Sequence, residues 1–121
     1  MQEIGRAQES IMAVTGVRPL FFRAPAGLRN PFLDPVLVHS ALTYVSWTRR
    51  GWDCVSTSPQ RVMRRLTRGL SAGDVILMHD GSSARRRHDD PIVLTVLPAL
   101  LDYLSHRGLK PVSLPIAFAG K

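Results

Sequence analysis

Three short segments place side chains suited to acid–base chemistry or anion binding directly after apolar stretches. His79 follows a compact apolar run, and a histidine at the end of a strand is well placed to exchange protons. Arg23 follows a second apolar run, where its guanidinium could hold a carboxylate through paired hydrogen bonds. Asp53 lies six residues after Trp47 and could orient a nearby base beside that apolar wall.

Each segment also has an ordinary structural interpretation. Arg23 can simply end a strand before a Pro/Gly turn, and His79 can bind the backbone of its own loop. Trp47 can cap a strand that enters a solvated loop containing Asp53. Taken singly, the segments therefore do not establish a catalytic site.

The elements that must position these residues alternate between helix and strand. Apolar periodicity, Ser58 before Pro59, and Gly16 and Gly108 after helices set the boundaries. We predict helices over 2–15, 33–40, 59–70 and 90–107, and strands over 20–22, 42–47, 75–78 and 110–114. Pro98 should kink the last helix. Alternation of this kind predicts an α/β fold with a mostly parallel sheet, whose strand ends carry the site.

Bulk properties indicate one domain. The 121 residues carry a net charge of +7 and a single cysteine, Cys54, so no intrachain disulfide can form. No apolar run approaches the ~20 residues of a membrane helix. The start has no basic region followed by an apolar stretch, so we expect no signal peptide in this sequence; as written the chain would stay in the cytoplasm, and its final location is left open.

Arginines supply nearly all of the positive charge. Arg61, Arg64, Arg65 and Arg68 share one face of a predicted helix, and residues 85–87 form a second cluster in a polar loop. Both are typical of solvated surfaces. No aromatic residues interleave with them for base stacking, which argues against nucleic acid as the partner.

Taken together, the three segments resemble the polysaccharide deacetylase family, the NodB-homology carbohydrate esterases. That family has an Arg-x-Pro-x-Gly motif, then Trp with Asp six residues later, then Leu-x-His. They match residues 23–27 (Arg-Ala-Pro-Ala-Gly), Trp47 with Asp53, and residues 77–79 (Leu-Met-His). The resemblance covers the whole chain and implies the later β/α units of an incomplete (β/α) barrel, a partial domain over 1–121.

The chain departs from the family in its metal-binding part. The Thr-Phe-Asp-Asp-Gly and His-Thr/Ser-x-x-His motifs, which supply the base and the metal ligands, do not occur and would lie upstream of Met1. His39 has no second histidine four residues later and does not replace them. Ala26 stands where the family has Tyr, Arg50 where many members have Asp, and Cys54 where many have Trp.

The resemblance implies a reaction and a set of roles. In the family a divalent metal, usually zinc, and a water remove acetyl groups from N-acetylated glycans. By position, His79 is the general acid, Asp53 orients it, and Arg23 pairs with the missing base. The substrate-binding residues would be Trp47 and Leu77 in the acetyl pocket, with Pro25 and the backbone N–H of Ala26 at the oxyanion.

We therefore expect a deacetylase fragment that binds no metal by itself and is inactive alone. His79 and Asp80 with His88, Asp89 and Asp90 form the one local donor cluster, interpreted as a loop with a solvated acidic end. An open sheet edge predicts self-association. The alternatives are a non-catalytic protein that binds glycan or another chain through the remaining groove, and a basic α/β module that binds nucleic acid.

Overall fold

The computed structural model describes residues 2–80 and 90–119, which alternate between helices and short strands. The elements are α1 (Gln2–Thr15), β1 (Phe21–Phe22), α2 (Leu33–His39), β2 (Thr43–Tyr44), β3 (Arg49–Arg50), α3 (Pro59–Thr67), β4 (Ile76–Leu77), α4 (Val93–His106) and α5 (Leu114–Phe118), with a 3-10 turn over Pro25–Gly27. They form two compact units, Met1–Ser46 with Ser113–Lys121, and Trp47–Val112.

In the first unit, β1 and β2 pair in parallel, with Phe21 opposite Thr43. Helix α1 is held beside them by Gln8, whose polar side chain is buried. The Gln8 amide donates to the carbonyls of Pro19, at 3.4 Å, and Ser40, at 3.3 Å, and thereby ties the helix to the residues before β1 and after α2. The ring of Phe21 also packs on that of Phe118 in α5, with centroids 5.5 Å apart.

In the second unit, β3 and β4 pair in parallel, and helices α3 and α4 form the core. Ser58 caps α3 by accepting a hydrogen bond from the N–H of Arg61, and Pro59 occupies the first turn, where a missing N–H costs nothing. The apolar face of α3 packs on that of α4. The fully buried side chains of this core include Val62, Leu66, Ile92 and Val96.

Arg49 and Asp74 link the start of β3 to the end of α3 and to the residues before β4. The Arg49 guanidinium contacts Asp74 at 3.0 Å and donates to the carbonyls of residues 68 and 69 after α3, at 2.8 and 2.5 Å. Asp74 also accepts hydrogen bonds from the Thr48 hydroxyl, at 2.6 Å, and the Ser71 N–H, at 2.9 Å. The Thr48 hydrogen bond, then that of Ser71 and then Arg49, lower the pKa of Asp74 from 3.8 to about 2. This cluster fixes where β3 begins.

The mixed helix and short-strand fold and the parallel pairing follow the predicted pattern, with differences at the edges. The predicted strand over 110–114 is wrong: residues 110–113 are irregular and Leu114 begins helix α5. Pro111 cannot donate to a sheet ladder, and Pro115 suits the first turn of a helix. The predicted strand over 42–47 shortens to Thr43–Tyr44, and Arg49–Arg50 forms an unpredicted strand. Helix α4 runs through Pro98 without ending there; its kink and the barrel remain predictions.

Candidate active site

His79 and Asp53 form a hydrogen-bonded pair at the end of β4. The Nδ1 atom of His79 lies 3.0 Å from Oδ1 of Asp53, and the backbone N–H of His79 donates to Oδ2 at 2.7 Å. The Asp53 side chain is fully buried, whereas the side chain of His79 remains 26% exposed. One carboxylate therefore holds both the backbone and the ring of a histidine that solvent can reach.

A tightly packed turn at Gly51 and Trp52 positions Asp53 next to His79. Gly51 lies against helix α3, and a Cβ atom there would be 2.6 Å from Cγ1 of Val62. Trp52 follows with φ of 60°, a left-handed conformation that is uncommon for a bulky aromatic residue. The glycine lets the backbone approach the core, and the left-handed residue turns the chain before Asp53. Gly51 and Trp52 thus place the buried Asp53 carboxylate beside the residue that follows β4.

The pair leaves one ring nitrogen available for chemistry. An ionised carboxylate only accepts hydrogen bonds, so Asp53 assigns the proton of the neutral ring to Nδ1 of His79. The other nitrogen, Nε2, can then gain or release a proton while Asp53 holds the ring in place. A histidine oriented in this way is suited to general acid–base catalysis.

Beside this pair, Arg50 stacks between two indole rings. Its guanidinium lies 3.9 Å from the ring centroid of Trp52 and 5.4 Å from that of Trp47. Trp47 is half-buried, and Leu77 in β4 is buried. Trp47 and Leu77 therefore lie in the same unit as His79, and their roles in an acetyl pocket stay predictions. The sequence analysis gave no role to Trp52. The sequence feature that could have indicated one is the pair of tryptophans on either side of an arginine within six residues.

The remaining predicted site residues lie in the first unit. Arg23 is exposed after β1 and lines a cavity of about 450 Å³ together with residues of α1 and β1. Pro25 and Ala26 form the 3-10 turn that follows, and Ala26 has a left-handed φ of 53°. Such a conformation in a non-glycine residue is a feature of functional turns. That these residues act together with His79 stays a prediction.

The described residues hold few groups that could bind a metal ion. Residues 2–80 and 90–119 contain no group of three His, Cys, Asp or Glu side chains placed to hold a metal ion. His88 and Asp89 of the predicted donor cluster, and the arginines at 85–87, lie outside the described residues. The arginines of α3 are exposed on one face. Within the same described ranges, no helix has the length and apolar character needed to cross a membrane.

Comparison with known proteins shows which structures the chain resembles. No family model matches the chain, and no curated protein matches it. Solved structures do. A family 4 carbohydrate esterase from Streptomyces lividans, in complex with acetate, is 31% identical, with a TM-score of 0.78 over 93% of this chain and 54% of its own. The T48 deacetylase with substrate is 26% identical, with a TM-score of 0.77 over 94% of this chain and 52% of its own.

A third structure has the same fold at lower identity. The Bc1960 peptidoglycan N-acetylglucosamine deacetylase is 21% identical, with a TM-score of 0.79 over 94% of this chain and 51% of its own. The chain thus spans about half the length of each of these structures. Fold and partial coverage agree with the sequence-based resemblance to the polysaccharide deacetylases, the NodB-homology carbohydrate esterases, which is confirmed: the chain is similar to about half of such a structure.

Proposed function

We propose that this chain supplies the proton-donating part of a site that hydrolyses the amide bond of N-acetylated sugars. The observation that carries the proposal is the His79–Asp53 pair, in which a buried carboxylate orients a partly exposed imidazole at the end of a strand. The 31% identity to a family 4 carbohydrate esterase in complex with acetate supports the removal of acetyl groups from a carbohydrate.

In this proposal His79 acts when the C–N bond breaks. An amine leaves only if its nitrogen gains a proton, and Nε2 of His79 is the atom that donates it. Asp53 keeps Nδ1 protonated and the ring fixed, so that the proton is delivered from one position. Trp47 and Leu77 are proposed to contact the acetyl methyl group, and the Ala26 N–H and Pro25 to border the oxyanion.

Water activation must come from elsewhere in the complete domain. The family resemblance implies a divalent metal and a carboxylate base, which Arg23 would hold. The described residues do not fit a metal: Asp53 already accepts two hydrogen bonds from His79, and residues 2–80 and 90–119 offer no group of three donors. We therefore propose that residues 1–121 alone are inactive and need the segment that carries the missing motifs.

Acetate release from N-acetylated chito-oligosaccharides tests this proposal. We expect none from residues 1–121, with or without zinc or cobalt. Joining the chain to the corresponding first part of the Streptomyces lividans esterase should give metal-dependent release. In that protein, His79→Ala should lower turnover ~10²–10⁴-fold, and Asp53→Asn should also lower it. His106→Ala is the matched control, because His106 is an exposed histidine whose Nδ1 contacts the Asp102 carbonyl of its own helix.

Two results would contradict the proposal. A joined protein that folds and binds metal but turns over normally with His79→Ala would remove His79 from the mechanism. Metal-dependent acetate release by residues 1–121 alone, lost on His79→Ala, would show that the chain contains its own means of activating water.

A further inference from the structure

The stack of Arg50 between Trp47 and Trp52 has no role in the proton transfer proposed above. The guanidinium covers one face of the Trp52 ring at 3.9 Å, a distance at which cation and ring attract. Trp52 nevertheless remains 45% exposed. An exposed fraction of this size leaves part of the Trp52 side chain open to a ligand while Arg50 holds the ring. Trp52 is also the residue directly before Asp53, which places this surface beside the candidate site.

This arrangement carries two local costs. Trp52 adopts φ of 60°, where most non-glycine residues are strained. The Nε atom of Arg50 is buried, and within the described part of the chain it has no hydrogen-bond partner. The turn before Asp53 accounts for the conformation of Trp52, but not for the stacking of its ring on a cation whose Nε is left without a partner in the described residues. Strained and desolvated residues that persist next to a catalytic pair are more readily explained by a binding role.

We infer that Trp52, held by Arg50, is a stacking platform for a pyranose ring of the glycan. The face of an indole is apolar and carries partial negative charge, and the C–H groups on one side of a pyranose ring complement both properties. The cation on the other face fixes the ring before the sugar arrives, so less freedom is lost on binding. The inference deepens the proposed function and rests on it for the identity of the ligand.

Glycan binding by residues 1–121 is the test, with tetra-N-acetyl-chitotetraose as the probe. The chain has two tryptophans, so the indole N–H signals of Trp47 and Trp52 can be followed separately by NMR. We expect a saturable shift of the Trp52 signal. Trp52→Ala should weaken binding about five- to thirtyfold, the usual effect of removing an aromatic anchor, and Trp52→Phe should weaken it less. Val55→Ala, at a 71% exposed residue nearby, is the control and should bind normally.

The backbone N–H of His79, which donates to Asp53, reports whether each variant keeps its fold. Binding that is unchanged in a folded Trp52→Ala variant would overturn the inference. So would the absence of binding by the unmodified chain, or a Trp52→Ala variant that loses only self-association. Binding that depends on Trp52, without acetate release by the joined protein, would remove the deacetylase proposal alone. Acetate release by the joined protein, with glycan binding that does not depend on Trp52, would contradict the proposed stacking role of Trp52 alone.

Discussion

Replacing Gly51 by alanine should damage both the core of the second unit and the candidate site. Gly51 does not have a positive φ, so alanine can adopt its backbone conformation and the effect is purely one of space. The added Cβ would lie 2.6 Å from Cγ1 of Val62 and 3.1 Å from Cγ of Leu66. Real Cβ contacts are not that short, so either helix α3 or the turn before Asp53 must move.

The size of the effect follows from the neighbours. Val62 and Leu66 are both 0% exposed and pack against helix α4, so neither can turn toward solvent to make room. Inserting a methyl group into a packed core of this kind costs about 1–3 kcal/mol. For a unit of this size, each kcal/mol lowers the melting temperature by about 4–8 °C.

Chemical denaturation of Gly51→Ala beside Gly5→Ala measures this effect. Gly5 lies within helix α1, and a Cβ there would meet no atom within 4 Å. Gly5→Ala should therefore stabilise the chain by about 0.5–1 kcal/mol, because alanine loses less backbone entropy in a helix. The two variants add the same methyl group and should change the free energy of unfolding in opposite directions.

The site provides a second measurement. Movement of the turn would lengthen the contact between Asp53 and His79, and the NMR signal of the His79 N–H should shift in Gly51→Ala but not in Gly5→Ala. A Gly51→Ala variant as stable as the unmodified chain, with that signal unchanged, would refute the claim that close packing at Gly51 positions Asp53.

Two further predictions concern pH and association. The pKa of Asp74, lowered to about 2 first by the Thr48 hydrogen bond, means that its carboxylate stabilises the fold above about pH 3.8 and loses this effect as the pH falls through about 2. The loss of stability in Asp74→Asn should therefore be full near neutral pH and shrink below about pH 3.8; an equal loss at every pH would contradict it. Exposed apolar side chains such as Phe32, at 83%, and Val38, at 80%, predict concentration-dependent association. Sedimentation of residues 1–121 checks this, and a monomer that unfolds in one sharp transition would count against it.

The sequence by itself determined the approximate positions of the helices α1 to α4, but not α5, and the order of the motifs. Ser58 and Pro59 start α3, and Gly16 and Gly108 follow α1 and α4 in left-handed conformations, as their positions predicted. These signals depend on only a few neighbouring residues, so they can be recognised in the sequence without knowing the rest of the fold. The ordered set of Arg, Trp–Asp and His motifs also predicted the resemblance that the solved structures confirm, because motif order and spacing do not depend on packing.

Only the tertiary structure decided the strand limits and the detailed surroundings of His79. A strand extends as far as its partner allows, and the pairing of Arg49 with Ile76 joins residues distant in sequence. The hydrogen bonds between Asp53 and His79 span 26 positions, and the stack of Arg50 on Trp52 depends on the turn that Gly51 makes against α3. Such contacts form only when the core of α3 and α4 fixes the backbone on which these side chains stand.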